Sequence, residues 1–154
     1  MEESAATGGP YIGTLLRICW QWVREELYNG LIASGYDGLS RAQVTVFRFP
    51  TPEGLRPSEL AERLQITKQS VNDLLRDLEA LGYLTREVTP DDGRARVVRL
   101  TAKGRRLERA VYRETQLAEL RMAKILGSER FDEFRRLTVE AVEALTGQDV
   151  SSVS

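Results

Sequence analysis

Six polar side chains between positions 68 and 76 (Lys68, Gln69, Ser70, Asn72, Asp73 and Arg76) carry the donors and acceptors that read base edges and hold phosphates. Gln69 and Asn72 each present an amide able to pair bidentately with adenine, while Lys68 and Ser70 reach either a base edge or a phosphate. Asp73 is the odd member, because a carboxylate facing phosphates is repelled. It either accepts from cytosine or pairs with Arg76, and three-residue spacing on a helix favours the pair, leaving Arg76 as a phosphate anchor. A second group follows in a turn-rich stretch: Arg94, with Asp92 close enough to orient its guanidinium, and Arg96 behind it. An arginine on a narrow hairpin suits a minor groove, where negative potential is focused.

Both groups need rigid supports, and the surrounding sequence supplies them. Thr67 is suited to cap a helix whose apolar positions Val71, Leu74, Leu75, Leu78 and Leu81 recur at three- and four-residue spacing. The stretch from Pro57 to Leu64 reads as a shorter helix opening with proline, whose missing N–H is harmless in a first turn. Two helices joined by a short turn, the second polar on its outer face, form the arrangement that enters a major groove. Backbone amides at Ser58 and Thr67 are further candidates to hold phosphates. Leu84–Val88 and Arg96–Leu100 read as strands around the turn-forming cluster from Pro90 to Arg94. Alternation sets Val98 and Leu100 on one face and Val97 and Arg99 on the other, with Arg96 and Arg99 meeting phosphates or solvent.

The stretch from Leu55 to Gly104 resembles the winged helix-turn-helix of MarR-type transcriptional regulators. The resemblance is carried by Ser58-Glu59-Leu60-Ala61, by Val71, Leu75, Leu78, Glu79 and Gly82, by Asp92-Gly93-Arg94, and by Leu100-Thr101 followed by Gly104. It implies a mainly α fold with a small β wing, terminal helices that interlock two chains, and a homodimer that binds palindromic operators in double-stranded DNA as a repressor. Half-sites are then expected about 10 base pairs apart, centre to centre, or at a multiple of that. Two departures stand out: Arg56 replaces a usual Thr or Ser cap, and Phe49 to Gly54 replaces a longer helix end, predicting a stiffer loop.

Composition agrees with this reading. The 154 residues suit one domain extended by dimerisation helices, and net charge is −1. The charge is unevenly spread: residues 85–109 carry eight basic and four acidic side chains, net +4, whereas residues 1–40 are at −3. A local basic patch on a near-neutral chain is the electrostatic footprint of a sequence-specific binder. The spacing predicts a tail over 1–9, a dimerisation helix over 10–36, the DNA-binding domain over 37–101, C-terminal dimerisation helices over 102–147 and a tail over 148–154. Ser40 and Gln43 form a capping box for a helix carrying Val44, Val46, Phe47 and Phe49, and Gly127 interrupts the C-terminal helices. A lone cysteine, no apolar run of membrane length and no basic–apolar leader place the chain in the cytoplasm, away from membranes.

Other classes are poorly served. The chain has no histidine, no zinc-ligand spacing and no phosphate-cradling glycine loop, which speaks against an enzyme, a metal site or a cofactor. A winged helix used only for protein contacts is the rival of another class, and exposed aromatics on the polar face would favour it. The family resemblance also implies a small aromatic or anionic effector. Arg17, Trp20, Arg24 and Tyr28 on the first helix are candidates to hold it, with Trp22 beside them, although aromatics at helical spacing also serve as core. Cys19 lies where a peroxide-sensing branch of the family keeps a reactive thiol, but Val23 stands where that branch has a supporting tyrosine.

Overall fold

The computed structural model describes residues 9–48, 51–89 and 92–150, with backbone alone at 89 and 92–95. Chain order gives α1 (Ile12–Ala33), α2 (Arg41–Val46), α3 (Pro57–Leu64), α4 (Lys68–Ala80), β1 (Leu84–Thr89), β2 (Asp92–Leu100), α5 (Ala102–Leu126) and α6 (Ser128–Thr146). Local signals account for most of these boundaries. The Ser40 hydroxyl accepts from the Gln43 amide while the Gln43 side chain accepts from the Ser40 N–H, a closed capping box. Helix α1 is followed by Gly35 at φ 91°, and Gly127 at φ 86° separates α5 from α6. Most of the expected tails, residues 1–8 and 151–154, and the Phe49-Pro50 pair lie outside the described residues.

One core holds the lobe together. Leu31, Val46, Leu60, Val71, Leu75, Leu78, Leu84, Val98 and Leu107 bring five helices and both strands into a single buried cluster. The stripe on α4 is buried at Val71, Leu75 and Leu78, as its spacing predicts, but Leu81 is exposed because it has passed into the C-cap. In the hairpin, Val97 is buried as well as Val98, so both faces are covered at that point. Simple alternation does not anticipate this.

The last turn of the lobe is fixed by an unusually close approach. The Thr101 side chain caps α5 by accepting from the Gly104 N–H at 3.0 Å, and it donates to the Gly82 and Tyr83 carbonyls at 2.7 and 3.0 Å. Gly104 sits so close to the Tyr83 carbonyl that a Cβ there would overlap its oxygen. Long helix α5 then packs along α1. Where they cross, the buried carboxylate of Glu114 lies against Gly30 and accepts from Ser34 and Arg113. Helix α6 packs on α5 yet buries none of its own residues, and α1 with its N-cap Tyr11 exposes Tyr11, Ile12, Leu15, Leu16, Ile18 and Trp20.

Candidate nucleic-acid interface and effector cluster

Helix α3 ends at Gln65, the one described non-glycine residue with positive φ, at 56°. That left-handed residue reverses the chain in two further positions, so Thr67 can start α4 at once. Thr67 Oγ1 accepts from the Ser70 N–H at 3.1 Å and lies 2.8 Å from Ser70 Oγ. Lys68, Gln69 and Ser70 are all exposed on the first turn, where a helix end entering a groove meets DNA. Arg76 Nη1 is 3.1 Å from Asp73 Oδ1, the i,i+3 pair that the spacing favours. Both partners are exposed, so solvent screens the pair and it is weak enough for a phosphate to compete.

Local hydrogen bonds hold the polar groups around this turn. The Asn72 side-chain amide donates to the Lys68 carbonyl at 2.9 Å, so it is turned back on its own helix rather than outward to a base. The Thr67 hydroxyl caps α4, as its place before the apolar stripe predicts. At Arg56 no side chain caps the first turn, and only the reciprocal half of a capping box forms, with Glu59 accepting from the Arg56 N–H at 2.7 Å. Ser58 follows in that first turn and is half-buried.

The wing runs antiparallel, pairing Leu84 with Leu100 and Arg86 with Val98, with an irregularity between Val88 and Thr89. Asp92 and Arg94 lie in the backbone of β2, and their side chains fall outside the described residues. Arg96 is exposed. Arg99, expected to meet phosphate or solvent, instead lies between Glu53 at 3.4 Å and Glu87 at 3.7 Å. Arg86 is likewise taken, holding Glu79 of α4 at 2.8 Å and so tying the hairpin to the helix beside it.

The sequence pattern of the MarR family matches residues 37–95, the span from before α2 into the wing. The HTH-type transcriptional repressor Rv2887 of Mycobacterium tuberculosis is 33% identical over 84 residues, covering 54% of this chain. The match spans 60% of the repressor's length. A solved structure of the Mycobacterium tuberculosis MarR family protein Rv2887 with salicylic acid superposes with a TM-score of 0.68 at 27% identity, over 87% of this chain and 98% of that one. Its complex with DNA gives 0.65 at 27%, over 86% and 98%. The regulator Tm0710 from Thermotoga maritima gives 0.62 at 27%, over 88% and 96%.

Residues 37–95 carry the MarR family's pattern, and the chain shares the fold of MarR family proteins.

Within this MarR fold, the effector candidates on α1 do not all converge. Arg17 bonds Gln21 along its own helix at 2.9 Å, one turn away from the others. Tyr28 gives its hydroxyl to the Leu39 carbonyl at 2.7 Å, a structural bond, and its ring lies 4.3 Å beneath the Arg41 guanidinium. Arg24 and Tyr28 line a hollow of about 10 Å³ with Leu27, Arg41, Val44, Thr45 and Arg48. Trp20 joins through Arg48, whose guanidinium stacks 3.9 Å from the indole. Cys19, next to it, is exposed in the single chain.

Arg48 is the member that sequence reasoning missed. Burial, with a further push from the Arg24 charge, lowers its guanidinium to about 10. Arg41 differs: Glu25 bonds it at 2.6 Å, which raises Arg41 and lowers the Glu25 carboxyl. Among the described residues, neither Arg24 nor Arg48 has a carboxylate at ion-pair distance. Arg48 is thus half-buried on an aromatic face beside the Arg24 charge, which also acts on Glu25. The described residues contain no group placed to hold a metal, and no described helix is long and apolar enough to cross a membrane.

Proposed function

We propose that this chain is a homodimeric, sequence-specific DNA-binding repressor of transcription in the cytoplasm, answering to a small aromatic anion. The observation that carries the reading is the exposed first turn of α4 beside an anchored hairpin. Helix and wing are tied by Arg86 and Glu79 into one surface able to meet a major groove and its flanking minor groove. Residues 37–101 form the binding lobe, and residues 10–36 and 102–147 form the two-fold interface. The apolar side chains exposed on α1, with Leu120 and Ile125 on α5 and Leu137 and Leu145 on α6, are more than a lone chain leaves in water. The relatives are named as regulators rather than enzymes. A solved complex of one with DNA supports the same partner here.

Gel shift on the DNA upstream of the chain's own gene tests this directly, and failure to bind any such duplex would overturn it. Within the complex, Arg94→Ala is expected to weaken all operators by a similar factor, roughly tenfold, and to lower the salt slope by about 1. Substituting Gln69 should instead change which base is preferred at one position. A titration across salt on two operator variants separates the two effects, and an unchanged slope for Arg94→Ala would contradict a wing contact.

The effector part rests on Arg24, Arg48 and Trp20, and on a relative solved with salicylic acid. A carboxylate placed between the arginines would relieve their mutual repulsion, with its ring outside the hollow, whose roughly 10 Å³ takes about one water, against the exposed Trp20. Salicylate at a hundred times its dissociation constant is expected to stabilise the chain by about 2.7 kcal/mol. Arg48→Ala should abolish that shift in thermal unfolding; an undiminished shift would place the anion elsewhere.

A further inference from the structure

The connection leading into α3 also builds the base of the wing. Pro52 to Leu55 is a turn closed by the Leu55 N–H on the Pro52 carbonyl at 3.1 Å, with Gly54 at φ 75° as a type II turn requires of its third residue. Gly54 donates to the Val98 carbonyl at 2.8 Å, and Val98 donates back to the Leu55 carbonyl at 2.9 Å. Two residues thus oppose one, as in a bulge built on a left-handed glycine. The next amide on that edge of β2 belongs to Leu100, and it is met by a side chain: Glu53 Oε2 accepts it at 2.6 Å. The same carboxylate holds Arg99 at 3.4 Å through Oε1 and lies 3.7 Å from Arg105 through Oε2.

We infer that Glu53 is a positioning residue for the wing, an inference that rests on the DNA-binding reading above. It completes the ladder that fixes the hairpin's base, and it turns Arg99 and Arg105 toward the protein. The first effect serves specificity, because helix and wing must fit one duplex at the same time. The second suppresses indiscriminate attraction to phosphate. Loss of Glu53 therefore acts in opposite directions on operator and bulk DNA, which a loss of stability alone does not do.

Full-length wild type, Glu53→Gln and Glu53→Ala separate these roles. Glutamine keeps an oxygen for the Leu100 N–H without the charge; alanine keeps neither. Hydrogen exchange at the Leu100 amide is expected to stay slow in Glu53→Gln and to quicken at least tenfold in Glu53→Ala. On a scrambled duplex at low salt both variants should bind tighter than wild type, with a salt slope steeper by about 1 to 2. On the duplex upstream of the gene, only Glu53→Ala should weaken, about tenfold. Unchanged Leu100 exchange in Glu53→Ala overturns the inference whether or not DNA is bound. Parallel weakening on both duplexes overturns it too. If Glu53→Ala does not fold, Glu53→Gln decides: slow Leu100 exchange with a steeper slope supports the role, and a wild-type slope removes it. A wild-type chain that treats both duplexes alike counts against the DNA-binding reading instead, and the exchange result alone then judges Glu53.

Discussion

Gly104→Ala is expected to destabilise the chain by about 3 kcal/mol, at the upper end of what one inserted methyl costs in a packed site. The atom in its way is backbone and cannot swing aside. The Tyr83 carbonyl is already held by the Thr101 N–H at 3.1 Å and the Thr101 hydroxyl at 3.0 Å. The Leu100 side chain closes the third side, 3.4 Å from the added carbon. The new methyl must either break those hydrogen bonds or lift the first turn of α5 from the lobe. Alanine is the better helix former by about 1 kcal/mol, which offsets only part of the loss. The unfolding midpoint should fall by roughly 6–12 °C. A midpoint within a degree of wild type would mean that α5 does not sit on this carbonyl.

The crossing of α1 and α5 should show a change of sign. Gly30→Ala inserts a methyl where the Glu114 carboxylate lies, but here the obstacle is the end of a flexible side chain. Expelling it forfeits the bonds from Ser34 at 3.3 Å and Arg113 at 3.1 Å, so a cost of about 2 kcal/mol is expected, the usual range for hydrogen bonds to a charged group. Glu114→Ala should cost about as much for the same reason. In that background the obstacle is gone, and Gly30→Ala should stabilise by up to about 1 kcal/mol through helix propensity. Denaturant unfolding of the four proteins closes the cycle. Additive effects would show that the two positions do not touch.

Much of this architecture is legible residue by residue. Ser40 with Gln43, Thr67 before the stripe from Val71 to Leu78, and Gly127 between two helices are signals contained within a few positions, and each falls where the chain uses it. What escapes the sequence is contact between distant segments. Nothing near Glu53 announces that it meets Leu100, forty-seven positions on, or that Gly54 and Leu55 add to the hairpin edge. Arg48 reads as an ordinary surface cation at a helix end until Trp20 is found beneath it. Asn72 shows a different limit: spacing puts it on the outer face of α4, but its amide also reaches the carbonyl one turn back, and the rotamer takes that bond.

The bonds of Gly54 and Leu55 to Val98 bear on how the protein behaves when crowded. A two-stranded hairpin carrying adjacent valines offers any neighbouring chain a row of unsatisfied amides to extend. Here the inner half of that row is taken up within the molecule, and Pro52, with no N–H of its own, ends the pairing. Loosening this short segment would expose a sticky border, and the first symptom would be sheet-like aggregation at high concentration.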